Sequence, residues 1–594
     1  MLSKAKHPSG ETPMINAVGI PHCVRNDIFP AKVGRAFFVL GGFFDMSRQI
    51  PTNVARFAPI AASLILAACA VPRTAPAAPP QPTVAAVAAV EAKPTAAPKI
   101  KPTAAPATDK MEKHILRVRF PSDLVNADPA FHPAAIDTQS ADTVGEGLVT
   151  FKPGTWELQN KLAESYKVSA DGLRIEFKLR EGVQFQKGNG ELTSEDVKFS
   201  YERFLDEKLK ASYKGDWEAL DKVDVTGKYT GVIVLKRPFA PLWGSTLPVA
   251  AGLILSKKYT EQVGPEKYAT SPLGTGPYEF VEWKSNEKVI FKRNESYWGE
   301  KPYWDEIHFI PIKDDAAAEV ALEAGEIDYT SVTQVGLVRF EKNDKFVTKQ
   351  SSTMDYSGIF VNVQHPKLKD INVREAIRYA VDTNAINTAV HEGKFERMCA
   401  IIAPTQIGYW KEAPCYDRDV DKAKAFMKKA GLDSLDINLV TENSDTAKAK
   451  AEIIQANLKE IGINVTIQPQ DGGAYWDGGF GDKAVKEREM VLFDWTTNNP
   501  DPHWQMVWFS CEQVGQYNWM YWCDKDFDKA NLDATATLDN GKRSAAYIKA
   551  QEMWDKNANV VWTLRPVNAS AWRTGIDAAL NPTGGAIIKD FRLK

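Results

Sequence analysis

Alternation of apolar and polar residues opens the folded part of the chain. Leu116, Val118 and Phe120 interleave with Ile115, Arg117 and Arg119, which predicts a strand. A second alternation sets Leu173, Ile175, Phe177 and Leu179 against Arg174, Glu176, Lys178 and Arg180, the pattern of an antiparallel strand with one wet face. Thr193 followed by Asp196 predicts a reciprocally capped helix start, with Val197, Tyr201 and Phe204 on one face. Val223–Val225 and Val232–Leu235 complete a small sheet.

Farther along, the spacing changes to helical. Val373, Ala376, Ile377, Ala380 and Val381 form one apolar stripe, and Ala423, Phe426, Met427 and Ala430 form another that stops at Gly431. Strand Ile437–Val440 follows, then a helix carrying Ile453, Ile454 and Leu458 to Gly462, then the alternating Ile463, Val465 and Ile467. This predicts an α/β unit distinct from the sheet-rich one before it.

The stretch from Trp495 to Cys523 follows neither period. It holds Trp495, Trp504, Trp508, Trp519 and Trp522 with Tyr517 and Tyr521, framed at its end by Cys511 and Cys523. Such rings form either an aromatic core under a disulfide or a rigid wall for an organic solute. The pattern alone leaves both readings open.

Composition narrows the function. At 594 residues the chain exceeds what one core serves, so two or three lobes are expected. A formal net charge of -3 gives no electrostatic case for nucleic acid. The six cysteines make no CxxC pair and the histidines no HExxH, which argues against zinc, and no metal or cofactor is expected. Cys399 with Cys415 and Cys511 with Cys523 fall as two local pairs that would close short loops in an exported protein.

Export is argued by residues 46–69, where Arg48 and Arg56 precede the apolar run Phe57–Ala68. The run ends in Leu66-Ala67-Ala68-Cys69, which resembles the lipobox of bacterial lipoproteins and implies lipidation at Cys69. Residues 1–45 then read as an over-extended N-terminus, with Met46 as the start. Residues 70–110 are almost all Ala, Pro, Thr, Val and Lys, a composition for an extended tether.

Several motifs recur in one order. Leu162–Tyr166, Ser169–Gly172, Leu179–Phe185, Asp196–Ser200, Gly274–Tyr278, Arg293–Trp298, Gly325–Asp328, Val373–Ile377 and Pro500–Pro502 together resemble the family 5 bacterial extracellular solute-binding proteins. These are the peptide-, nickel- and opine-type receptors of ABC importers. The resemblance implies a mixed α/β, two-lobed periplasmic-binding-protein-like fold of the large peptide-binding type, with three subdomains around a hinged cleft. The expected boundaries are 112–155, 246–350 and 566–594 for the parts of lobe 1, 156–245 for the small sheet subdomain and 351–565 for lobe 2.

No Walker loop, G-x-S-x-G elbow or acid and base pair appears, and His132, His308, His365, His391 and His503 are isolated. The chain reads as a receptor and not an enzyme. Ligand candidates are Asp128, Tyr356, Glu442, Trp495, Thr497, Asn498, Asp501 and Trp519. Of these, Trp495 and Asn498 are expected to face the cleft, while Trp508 and Trp522 pack as core.

The dipeptide-type branch implies an acid just before Asp-Pro for the ligand's amino group and an arginine after an earlier strand for its carboxylate. This chain has Thr497-Asn498-Asn499 in the first place and only Glu442 and Asp445 in the second. A buried ligand charge without a partner costs several kcal/mol, so a short zwitterion clamped in that way is disfavoured. A longer peptide held by its backbone is expected, and a neutral oligosaccharide stacked on tryptophan is the alternative. The expected partners are that solute, an ABC permease and a membrane reached through the lipid; a monomer is expected. The rivals are a surface glycan hydrolase and a structural lipoprotein.

Overall fold

A computed structural model describes residues 113–131, 134–497 and 499–594. The expectations for residues 1–45, 46–69 and 70–110, including Cys69, lie outside the described residues, as do those for His132 and Asn498.

Among the described residues three larger sheets carry the fold. The first has seven strands, in the order Phe346–Ser352, Val567–Arg573, Tyr329–Ser331, Ile115–Phe120, Glu306–Pro311, Lys288–Arg293 and Tyr278–Lys284. Strand Ile115–Phe120 lies at its centre, parallel to Glu306–Pro311, and Leu116, Val118 and Phe120 share the face buried in the core. The second sheet has four antiparallel strands, Ala163–Val168, Arg174–Leu179, Thr230–Leu235 and Leu220–Gly227. Arg174–Leu179 is strictly alternating, with Ile175, Phe177 and Leu179 inward. Helix Ser194–Glu202 packs beside it, and Asp196 Oδ2 accepts the Thr193 N–H at 2.9 Å as the sequence predicts.

The third sheet runs Ile463–Gln470, Leu435–Glu442, Met490–Trp495, Tyr356–Val361 and Val560–Trp562. Its two faces serve different cores. Ile359, Leu439, Met490 and Leu492 meet the helices Ile371–Ala380, Val420–Lys429 and Asp445–Lys459 through Val373, Ile377, Ala423 and Ile454. Tyr356, Phe360, Val491, Phe493 and Trp495 point the other way, into an aromatic core with Phe509, Trp519 and Trp554. Gly431 and Gly462 have φ of +72° and +83°, the left-handed geometry that ends the helices before them.

Two segments link the seven-stranded sheet to the five-stranded one, between Ser352 and Tyr356 and between Trp562 and Val567. They run side by side. The Thr353 N–H and hydroxyl donate to the Pro566 carbonyl at 3.2 and 3.0 Å, and Arg565 Nη1 donates to the Asp355 carbonyl at 2.6 Å.

Candidate functional site

The site is built from the carboxyl ends of the parallel strands Leu435–Glu442 and Met490–Trp495, where an open α/β sheet presents its crevice. Asp494 falls on the helix-covered face and Trp495 on the aromatic face, as pleating requires.

Trp495 is 7% exposed, so only an edge reaches solvent. Its ring is stacked near Phe509 at 5.7 Å and Trp476 at 5.7 Å, and stands edge-on to Tyr356 and Trp519. The indole Nε1 is buried without a hydrogen-bond partner among the described residues. Trp495 therefore belongs mainly to the core, because residues 491, 493 and 495 share the covered face. Tyr356, 3% exposed, sits opposite it in register, and burial raises its phenol far above the usual range. Trp519 is enclosed at 1% exposure, donating Nε1–H to the Gln516 carbonyl at 2.7 Å. Trp522 is buried beside Phe527, whereas Trp508 is half-buried against Tyr517. Disulfides join Cys511 to Cys523 and Cys399 to Cys415.

Two of the acidic candidates have their oxygens taken inside the protein. Asp128, 1% exposed, binds Arg203 through both oxygens at 2.7 Å. Asp501, 3% exposed, accepts from Arg543 Nη2 at 2.6 Å, from the Tyr547 hydroxyl at 3.4 Å and from the His503 N–H at 3.0 Å. Their saturation explains their burial: a paired carboxylate tolerates desolvation that a lone one does not.

Glu442 and Thr497 are placed differently. Glu442 ends its strand exposed, and partial burial with the nearby Asp494 charge raises its carboxyl above the ordinary range. The Thr497 N–H donates to Asp355 Oδ1 at 2.8 Å, which fixes the loop after Trp495. Burial raises the Asp355 carboxyl, while the Thr497 N–H and Thr353 hydroxyl oppose that shift.

Sequence reasoning missed the pair beside them. Lys450 Nζ, nearly enclosed, donates to both oxygens of Asp494 at 2.8 and 3.0 Å, and the Asp494 side chain stays 43% exposed. His391 lies close by, pushed down to about 4 by burial and by the Lys450 ammonium. A signal was present: Lys450 interrupts the apolar stripe Ala447, Ala451, Ile454 and Leu458, and Asp494 interrupts the run Met490–Trp495. Lys450 pairs with Asp494 and the Arg565 guanidinium faces Asp355, which leaves the exposed Glu442 without a cation of its own among the described residues. Among the described residues no group of histidine, cysteine and acidic side chains is arranged to hold a metal ion.

The chain belongs to the bacterial extracellular solute-binding proteins, family 5, whose middle-region profile matches residues 157–516. It is a solute-binding protein, and its fold is the mixed α/β periplasmic-binding-protein type. It is 31% identical to the dipeptide-binding protein of Escherichia coli (strain K12) over 437 residues, which is 68% of this chain and 80% of that one. Heme-binding protein A of Haemophilus influenzae is 26% identical over 442 residues, 69% of this chain and 80% of that one. Among solved structures, HbpA2 from Haemophilus parasuis superposes with a TM-score of 0.75 at 24% identity, covering 81% of this chain and 100% of that chain. DppA from Helicobacter pylori, in complex with the peptide STSA, superposes at 0.66 with 28% identity, covering 81% and 98%.

Proposed function

We propose that this chain is the extracytoplasmic receptor of an ABC importer, capturing a peptide-like solute between two lobes and delivering it to a membrane permease. Family membership over residues 157–516 carries the reading. The relatives named for dipeptides and for a bound tetrapeptide support a peptide-like solute. The paired crossing at Thr353 and Pro566 supplies a hinge, and solute that touches both lobes stabilises the closed form.

Glu442 and Asp494 are the ligand-facing charges in this reading. They take a cationic group, the amino end or a basic side chain, at the strand ends where an arginine would have taken a carboxylate. Trp495 contributes its exposed edge and Thr497 its loop; Tyr356 and Trp519 support the wall from behind. Asp128 and Asp501 hold structure. Residues 46–69 direct export and Cys69 carries a lipid anchor in this proposal, with residues 70–110 as tether.

Native mass spectrometry of protein purified from its own cells tests the reading. A bound mass matching a peptide supports it. An oligosaccharide mass, or a mixture of cleaved glycan products, overturns the peptide assignment.

A further inference from the structure

The four-stranded sheet and the five-stranded sheet touch without sharing a core. The apolar cluster around the former draws its fully buried members from Ala130 to Leu273, and the aromatic cluster of the latter from Tyr356 to Val560. The Ala240 N–H donates to the Thr535 carbonyl at 2.8 Å. Phe239 stands edge-on to the His503 ring at 5.5 Å.

Two glycines make room for the rest. A Cβ at Gly215 would lie 3.1 Å from Cη2 of Trp504, and within 4 Å it would meet only that ring. A Cβ at Gly244 would lie 3.3 Å from both Cβ and Oδ2 of Asp501. Neither glycine has the positive φ that would itself exclude a side chain. Each gap is therefore demanded by the opposite body and not by the local backbone. Asp501 is held for this contact by Arg543 and Tyr547, and the turn it caps aims Trp504 across.

We propose that Gly215 and Gly244 are notches of a closure latch, which receives Trp504 and Asp501 when the lobes close and sets how long the solute is retained. The proposal rests on the hinged-receptor reading. Among the described residues the two apolar clusters share no buried member, and a contact of this kind, with its backbone hydrogen bond, aromatic pair and two close-fitting notches, can open and re-form without unfolding either cluster. Asp501 and Trp504 act here as positioning residues: they hold the closed geometry without touching solute.

The test substitutes Gly215→Val and Gly244→Val, singly and together, in the full chain. Small-angle scattering is recorded without added solute, and the dissociation rate is measured for the tetrapeptide Ser-Thr-Ser-Ala. The double variant is expected to scatter as a more open particle and to release the peptide ~tenfold faster, with circular dichroism unchanged. Scattering and release identical to the parent would overturn the latch and leave the receptor reading intact. If the chain binds no tetrapeptide, the solute assignment fails and the latch is decided by scattering of Ala240→Cys/Thr535→Cys, where an oxidised particle no more closed than the reduced one would overturn it. As a second arm, Ala240→Cys with Thr535→Cys is oxidised to lock the contact. It should slow release, and an unchanged rate would also overturn the proposal.

Discussion

Replacing Trp495 by alanine separates the core from the ligand wall. The ring is 7% exposed and lies among Tyr356, Phe360, Trp476, Phe493, Phe509 and Trp519. An indole of this kind removes roughly 200 Å² from water, worth about 5 kcal/mol at ~25 cal/mol per Å². Residual burial in the unfolded chain reduces that figure, so the expected loss is about 3–5 kcal/mol. The indole N–H makes no hydrogen bond among the described residues, so none there is lost with it. Trp495→Phe should for that reason cost far less than Trp495→Ala, since it removes an unsatisfied donor and keeps most of the contact. Urea unfolding followed by circular dichroism, with the slope checked for constancy, measures both. A loss below about 1 kcal/mol for Trp495→Ala, well under the range for buried aromatic truncation, together with abolished solute binding, would refute the placement and make the ring a ligand platform.

Asp501→Ala leaves Arg543 buried without its anion and should cost about 3–5 kcal/mol; adding Arg543→Met should recover much of it, and urea midpoints compare the two. Cys523→Ser opens a loop of sequence separation 12 and should lower stability by about 3 kcal/mol on the chain-entropy model, read as a lower thermal midpoint under oxidising conditions. His503 and His391 are both pushed down to about 4, burial being the first cause in each. The unfolded chain therefore binds more protons between pH ~6.5 and about 4, so stability falls as pH drops through that window. The slope is less than the ~1.4 kcal/mol per pH unit that each fully enclosed histidine would give. His503→Gln should flatten the acid limb of a thermal-midpoint profile, and an unchanged limb would contradict the assignment.

Elements whose periodicity and caps agree were legible in the sequence. Strand Ile115–Phe120, the Thr193 start and the helix ended before Gly431 follow from spacing over a few residues. The aromatic stretch was not legible in that way. It folds as short turns, His503–Met506, Val507–Phe509 and Cys511–Gln513, whose positions depend on long-range packing and a disulfide. Buried charges failed for a related reason. The partners of Asp128 and Asp501 stand 75 and 42 residues away, so the carboxylates looked available for ligand when each already had an arginine. Lys450 and Asp494, 44 apart, were overlooked because each reads as an isolated polar residue in an apolar pattern. Family motifs identified the receptor class, but local sequence could not separate ligand-facing carboxylates from those committed to structure.

The measurement closest to the central claim is calorimetric titration of the full chain with the dipeptide Met-Leu and the tetrapeptide Ser-Thr-Ser-Ala, followed by mass analysis of the recovered peptide. One-to-one binding of peptide is expected, weakened by Glu442→Gln, with the peptide returned chemically unchanged. Cleaved peptide, or binding of an oligosaccharide with no response to either peptide, would contradict it.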